Sequence, residues 1–188
     1  MNLVERVKNI LLQPKSEWQV IEGEPGDAGT LFPNYVCIVA AIPPVFTFIG
    51  TSIIGFGPFR MGLLSGLLYA VVVYLLTLIG VFVTAFIIDV LAGVFGARRN
   101  FDNAMRVSAY APTAAWVVGV FNLIPALGIL SILGLYSIYL LHTGIAALMK
   151  PEPSKAVIYT VAVVICIIVI WFVIVGIAGT IFGMRAMM

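Results

Sequence analysis

Charge is the scarcest commodity in this chain. Asp, Glu, Lys and Arg together make up 10% of it, where a soluble domain carries about 25%. Too few polar side chains remain to cover a water-facing surface, which excludes a soluble globular protein. Histidine is almost absent, with His142 alone, and cysteine is limited to Cys37 and Cys166. Both cysteines lie in apolar runs, so neither a disulfide framework nor a metal-ligand spacing is present. No metal, no cofactor and no catalytic residue is expected. The formal net charge of +2 gives no reason to expect a nucleic-acid partner.

Long apolar runs dominate instead. Hydrophobic residues form 62% of the chain, and mean hydropathy is +1.16. A membrane-crossing helix needs about 20 mostly apolar residues. Five runs qualify, at about 35–54, 61–88, 104–121, 125–149 and 156–183. The expectation is an all-α, polytopic bundle of five transmembrane helices spanning residues 31–188. A cytoplasmic segment, residues 1–30, precedes it. The lipid bilayer is the first partner.

Basic residues near the span ends set orientation. Arg6, Lys8, Lys15, Arg98, Arg99, Arg106, Lys150 and Lys155 fall on the side of the N-terminus; Arg60 and Arg185 fall on the other. This asymmetry places the N-terminus in the cytoplasm and, with five spans, the C-terminus outside. The first apolar cluster, Ile10-Leu11-Leu12, is too short for a secretory leader, so none is expected.

The N-terminal segment is amphipathic. Leu3, Val4, Val7, Ile10 and Leu11 share one face, and Glu5, Arg6, Lys8 and Asn9 are assigned to the other. Pro14 interrupts it, and Ser16 with Gln19 reads as a capping box opening a second helix. Two arrangements fit. The helices lie on the membrane, with Trp18 dipping into the headgroups beside an inner rim that includes Arg98 and Arg99, or they pack beneath the bundle. The segment is also the natural place for a protein partner. Gly62…Gly66, Gly179…Gly183 and the Ala111, Ala115, Gly119 series allow close helix packing, within one chain or in a homo-oligomer.

Asp89 interrupts a run of uncharged residues that begins at Met61. Length favours a hydrophobic core ending near Asp89. The helix then projects inward with Val90, Leu91, Val94 and Phe95 as an apolar stripe, and Ala92, Gly93, Gly96 and Ala97 face away. Asp89, Arg106 and His142 fall at similar depth, so a polar cluster of the three is geometrically allowed. It serves either as an Asp89–Arg106 pair with His142 donating to a backbone carbonyl, or as a titrating or ion-binding site. Pro112 frees the carbonyl of Ser108 and predicts a kink at Ser108–Pro112. Asn122 is a candidate cap for the outer turn before Pro125.

No phosphate-binding glycine loop and no His-Glu-x-x-His pair occurs. Leu63-Leu-Ser-Gly66 lacks the first glycine of a rhomboid serine motif. Enzymes are therefore disfavoured. The composition fits a membrane organiser or adaptor, with an oligomeric channel or transporter working through Asp89, Arg106 and His142 as the alternative.

The segments Phe95-Gly-Ala-Arg-Arg-Asn-Phe101, Ala104-Met-Arg-Val-Ser-Ala-Tyr-Ala-Pro112, Asn122-Leu-Ile-Pro-Ala-Leu-Gly128 and Tyr136–Lys150 resemble the inner loop and later spans of the Yip family. Pro14-Lys-Ser-Glu-Trp18 is similar to its short N-terminal signature, and Ala41-Ile-Pro43 with Phe48–Thr51 to a bacterial inner-membrane branch. The resemblance implies five spans, a cytoplasmic N-terminus and residence in a bacterial inner membrane. In eukaryotes it implies early secretory membranes and Rab-type GTPases, reached through longer N-terminal regions than the one here. It supplies no catalytic residue.

Single cysteines at positions 98 and 150, in a chain freed of Cys37 and Cys166, are expected to react with a membrane-impermeant thiol reagent only after the cytoplasmic side is opened. Labelling of the two from opposite faces would contradict the orientation.

Overall fold

A computed structural model of the chain describes residues 2–24, 28–55 and 60–183. The described residues form helices and turns, with no strand among them. Two short helices open the chain, α1 (Leu3–Leu12) and α2 (Pro14–Gly23). The helical run α3 (Gly29–Ile54) follows, then α4 (Leu63–Ala92). Next come α5 (Phe101–Tyr110) and α6 (Thr113–Val118), which tightens into a 3-10 helix at Gly119–Leu123. The run α7 (Leu127–Met149) and the helix α8 (Ala156–Gly183) complete the bundle.

Four of these, α3, α4, α7 and α8 (to Thr180), are long and apolar enough to cross a membrane. The run expected at 104–121 is not one helix. It stops at Tyr110 and restarts at Thr113. Pro112 cannot donate to the ladder, and its ring crowds the preceding turn. The Thr113 hydroxyl caps the loose end by donating to the Tyr110 carbonyl at 2.6 Å. In α3 the same chemistry acts through Pro43 and Pro44, and the run turns at Ala40–Ala41. Lipid offers no water to such carbonyls, so breaks of this kind need protein around them.

Helix α4 also departs from expectation at its C-terminal end. Helix α4 runs past Asp89 and ends at Ala92, and Gly96 at φ +66° turns the chain back. The expected apolar stripe splits. Val90 and Val94 are exposed, while Leu91 and Phe95 pack inward, Phe95 stacking on Tyr159 at 5.1 Å. Ala92, expected to face away, is fully buried. The capping box is likewise corrected. Pro14, with φ already set for a helix, begins α2, so Ser16 lies inside it and bonds the Gln13 carbonyl.

Breaks and small residues together assemble the core. Residues 113–122 run beside α3 in the same direction. The hydroxyls of Tyr35 and Thr113 meet at 2.7 Å, Gly119 abuts Pro43, and the Asn122 amide donates to the Thr47 hydroxyl at 3.0 Å. Asn122, a candidate cap, thus ties the turn before Pro125 to α3 and makes no side-chain cap bond there. Helix α7 runs the opposite way. The Asn103 amide reaches the Leu148 carbonyl at 3.0 Å, and Ala115 meets Gly134 and Ser137. Of the two glycine pairs, Gly66 packs on Ser52, whereas Gly62 and Gly179 face open space; Gly183 carries no described side-chain environment. Most of α8 is exposed on the outside of α4.

A Cβ on Gly50 would overlap the Asn122 backbone carbonyl. Gly50→Val is therefore expected to cost about 1–3 kcal/mol, seen as a lower midpoint of thermal unfolding in detergent. Gly176→Ala, which meets nothing within 4 Å, is expected to stay within about 0.5 kcal/mol of the parent.

Candidate functional site

The densest polar construction lies where α1 and α2 meet the bundle. The two helices fold back on each other around Gln13 and Pro14, and their apolar side chains, Ile10, Trp18 and Ile21, are fully buried. Of the two arrangements open to this segment, Trp18 takes the one packed against the bundle: it lies in a notch on α7 that exists because position 144 has no Cβ; one there would stand 2.6 Å from the indole. Its Nε1 donates to the Thr143 hydroxyl at 3.1 Å, and its ring meets Tyr110 edge-on. The hairpin therefore packs into the bundle.

Arg6 holds the hairpin closed. Only 5% exposed, it donates to Glu17 at 2.6 Å and to Glu24, and its guanidinium lies 5.5 Å from the centre of the Tyr110 ring. Burial by itself would lower the Arg6 pKa. The bond to Glu24, the Tyr110 phenol oxygen and the two carboxylates reverse that and raise it, so the cation persists. Arg106 adds a second clamp, donating to the carbonyls of Ile21 at 2.8 Å and Glu24 at 2.9 Å. Those carbonyls lie at the end of α2, where the helical ladder runs out; the Ile21 carbonyl also accepts from the Glu24 N–H at 3.4 Å. Lys150 pairs with Glu22, and the Tyr136 hydroxyl donates to the Leu11 carbonyl at 3.1 Å.

Arg6 was assigned to the polar face of α1. Its spacing from Leu3 and Ile10, three and four residues away, puts it on the buried face. That spacing was the available signal for its role. Glu17 and Glu24 gave none, because their partner lies 11 and 18 residues away.

The three residues proposed as a polar cluster take different partners. Asp89, 9% exposed, pairs with Arg99 at 2.9 Å. The turn at Gly96 brings Arg99 back over the end of α4, ahead of Arg106, which is engaged with α2. Arg99 is mostly in water, so this pair is worth about 0.2–1 kcal/mol. His142 faces the Thr160 hydroxyl at 3.0 Å through Nδ1, neither the backbone carbonyl of the first alternative nor the Asp89–Arg106 cluster of the second. Beside Asp89, the Tyr159 hydroxyl donates to the Ile88 carbonyl. A pocket of about 400 Å³ lies at the other end of the bundle, lined by Ser52, Ile53, Arg60, Met61, Gly62 and Leu63. Asp89, Arg106 and His142 do not line it. No group of three metal-ligating side chains occurs among the described residues.

These features define a polytopic helical membrane protein whose N-terminal helices are built into its bundle. The family model for the Yip1 domain matches residues 8–174, and the chain belongs to that family. It is 27% identical over 166 residues to the inner membrane protein YohC of Escherichia coli K12, covering 84% of this chain and 85% of that one. The same figures hold for YohC of E. coli O6:H1. No solved structure matches.

Removing Arg6 leaves Glu17 buried and unpaired. Arg6→Leu is expected to weaken hairpin docking by about 3 kcal/mol, roughly a hundredfold. Faster trypsin cleavage at Lys8 and Lys15, with the helix content of the bundle retained, would report it. Asp89→Asn is expected to leave that cleavage rate unchanged.

Proposed function

We propose that the protein is a non-catalytic organiser or adaptor of a bacterial inner (cytoplasmic) membrane. It crosses the bilayer five times, with the N-terminus in the cytoplasm and the C-terminus outside. The fifth crossing is the broken segment α5–α6. Support comes from its course beside α3, in the same direction and over successive contacts from Tyr35 to Thr47. A segment carrying Arg106 and Pro112 fits a membrane only if other helices surround it, and residues 104–111 are all buried or half-buried. The basic asymmetry supports the orientation, and the inner-membrane name of the E. coli relative supports the compartment.

One observation carries the functional reading. The polar groups a solute pathway would use are spent on holding helices to one another. Arg6, Glu17, Glu24 and Arg106 fasten the hairpin, Tyr35 and Thr113 fasten α3 to α6, and His142 and Thr160 fasten α7 to α8. What such a protein presents to others is the outward side of the hairpin and the inner loops, which favour a protein partner or anionic lipid.

Purified protein in liposomes is expected to pass ions and small solutes no faster than empty vesicles. The chain lacking residues 2–24 is expected to insert in the membrane but to lose a partner or a membrane-shape effect that the full chain shows. Solute flux abolished by Asp89→Asn or His142→Ala would replace the organiser with a channel.

A further inference from the structure

Trp18, Ile10 and Arg6 point into the bundle, which leaves the opposite side of α1 to account for. Val4, Lys8 and Leu12 recur every four residues and so form one face of a helix. Val4 is 70% exposed and Leu12 69%. Lys8 and, at the start of α2, Lys15 are exposed and appear in no ion pair among the described residues. Glu5 is the exposed acid beside them, and Glu22 is neutralised by Lys150. Two bare aliphatic side chains flanking an unpaired lysine are costly in water and favourable in a headgroup layer.

The neighbouring surface points the same way. The Leu11 carbonyl is bonded by Tyr136, whose ring lies 5.4 Å from that of Tyr139. Both tyrosines are part-exposed, and just before them Ile129, Ile132, Leu133 and Leu135 form an exposed apolar stretch of α7. Ile138, between the two tyrosines, is exposed as well, so this flank of α7 presents apolar side chains with phenol groups among them, a surface suited to lipid. The last turn of α1 abuts it.

We infer that the outward face of α1, Val4, Lys8 and Leu12 joined by Lys15, is a contact surface for anionic phospholipid. The hairpin is thus held from both sides, by the bundle through Arg6 and Trp18 and by the bilayer through this face. The inference deepens the organiser reading and rests on its inner placement of α1, but it requires no protein partner. Lipid would carry part of the hairpin's attachment, so the charge of the leaflet would set how firmly α1 is seated.

Nitroxide labels on Val4→Cys, Leu12→Cys and Gln19→Cys, in the full chain with Cys37 and Cys166 replaced by Ala, test this directly. The vesicles are phosphatidylcholine with or without phosphatidylglycerol. With phosphatidylglycerol present, labels at 4 and 12 are expected to collide with oxygen in preference to an aqueous nickel chelate, and the label at 19 the reverse. The Lys8→Gln, Lys15→Gln pair is expected to reduce the phosphatidylglycerol-dependent part roughly fivefold per lysine. Labels at 4 and 12 as open to nickel as the label at 19, in both vesicles, would overturn the inference. Labels shielded from both reagents would mean that protein covers the face and would overturn it equally. Failure of the organiser reading alone would leave these accessibilities untouched, since it concerns partners and flux.

Discussion

A polar group that leaves water in this chain must take its partner with it. In a medium without hydrogen-bonding solvent, each unpaired amide or charge costs several kcal/mol, and prolines within the helical runs, Pro43, Pro44 and Pro112, release such groups. The architecture follows from how they are satisfied. Pro43 and Pro44 break α3, and Pro112 breaks the segment after α5, at points where other helices lie alongside. Ser108 reaches across to the Val81 carbonyl, and Tyr74 to that of Cys37. These bonds join helices, so the requirement to satisfy polar atoms is also what fixes the order in which the helices pack.

The same requirement explains why α1 and α2 form part of the fold. A helix that carried Arg6 alone into an apolar cleft would be expelled, since a buried and uncompensated charge is strongly destabilising. Glu17 and Glu24, supplied by the next helix and its exit, allow the whole hairpin to enter. Burial then adds what charge pairing cannot. Trp18, Ile10 and Ile21 each remove a large apolar surface from water, worth about 1.5–3 kcal/mol per side chain. Ion pairing selects the docked geometry, and apolar burial makes it favourable.

Much of this was legible in the residues. Low charge and long apolar runs announced a helical membrane protein, and Pro112 marked a break because a missing N–H acts locally. What stayed hidden depends on side chains far apart in sequence. Asp89 was matched with Arg106 on depth alone, yet a single left-handed residue, Gly96, returns Arg99 to it. The face of α1 was misjudged at Arg6 because a charge was taken to mean solvent, and its compensation lies in another helix. Four long helices can be recognised by length and apolarity; the run at 104–121 also read as one helix, and the break between Tyr110 and Thr113 leaves two short ones in its place.

Glycine shows how closely packing and docking are linked. At Gly144 the missing Cβ makes room for an indole, at Gly119 for a proline ring and at Gly50 for a backbone carbonyl. Gly50 and Gly119 join α3 to the end of the α5–α6 segment, and Gly144 joins α7 to α2. Helices in lipid gain little from apolar attraction to one another, and close approach through small residues takes its place. The glycines that matter are thus those at helix–helix contacts, Gly50 and Gly119 between α3 and the broken segment, Gly66 against Ser52 and Gly144 under Trp18. On the outer flank of α8, by contrast, Gly176 and Gly179 meet nothing, and there the helix has only a continuous ladder of its own to protect.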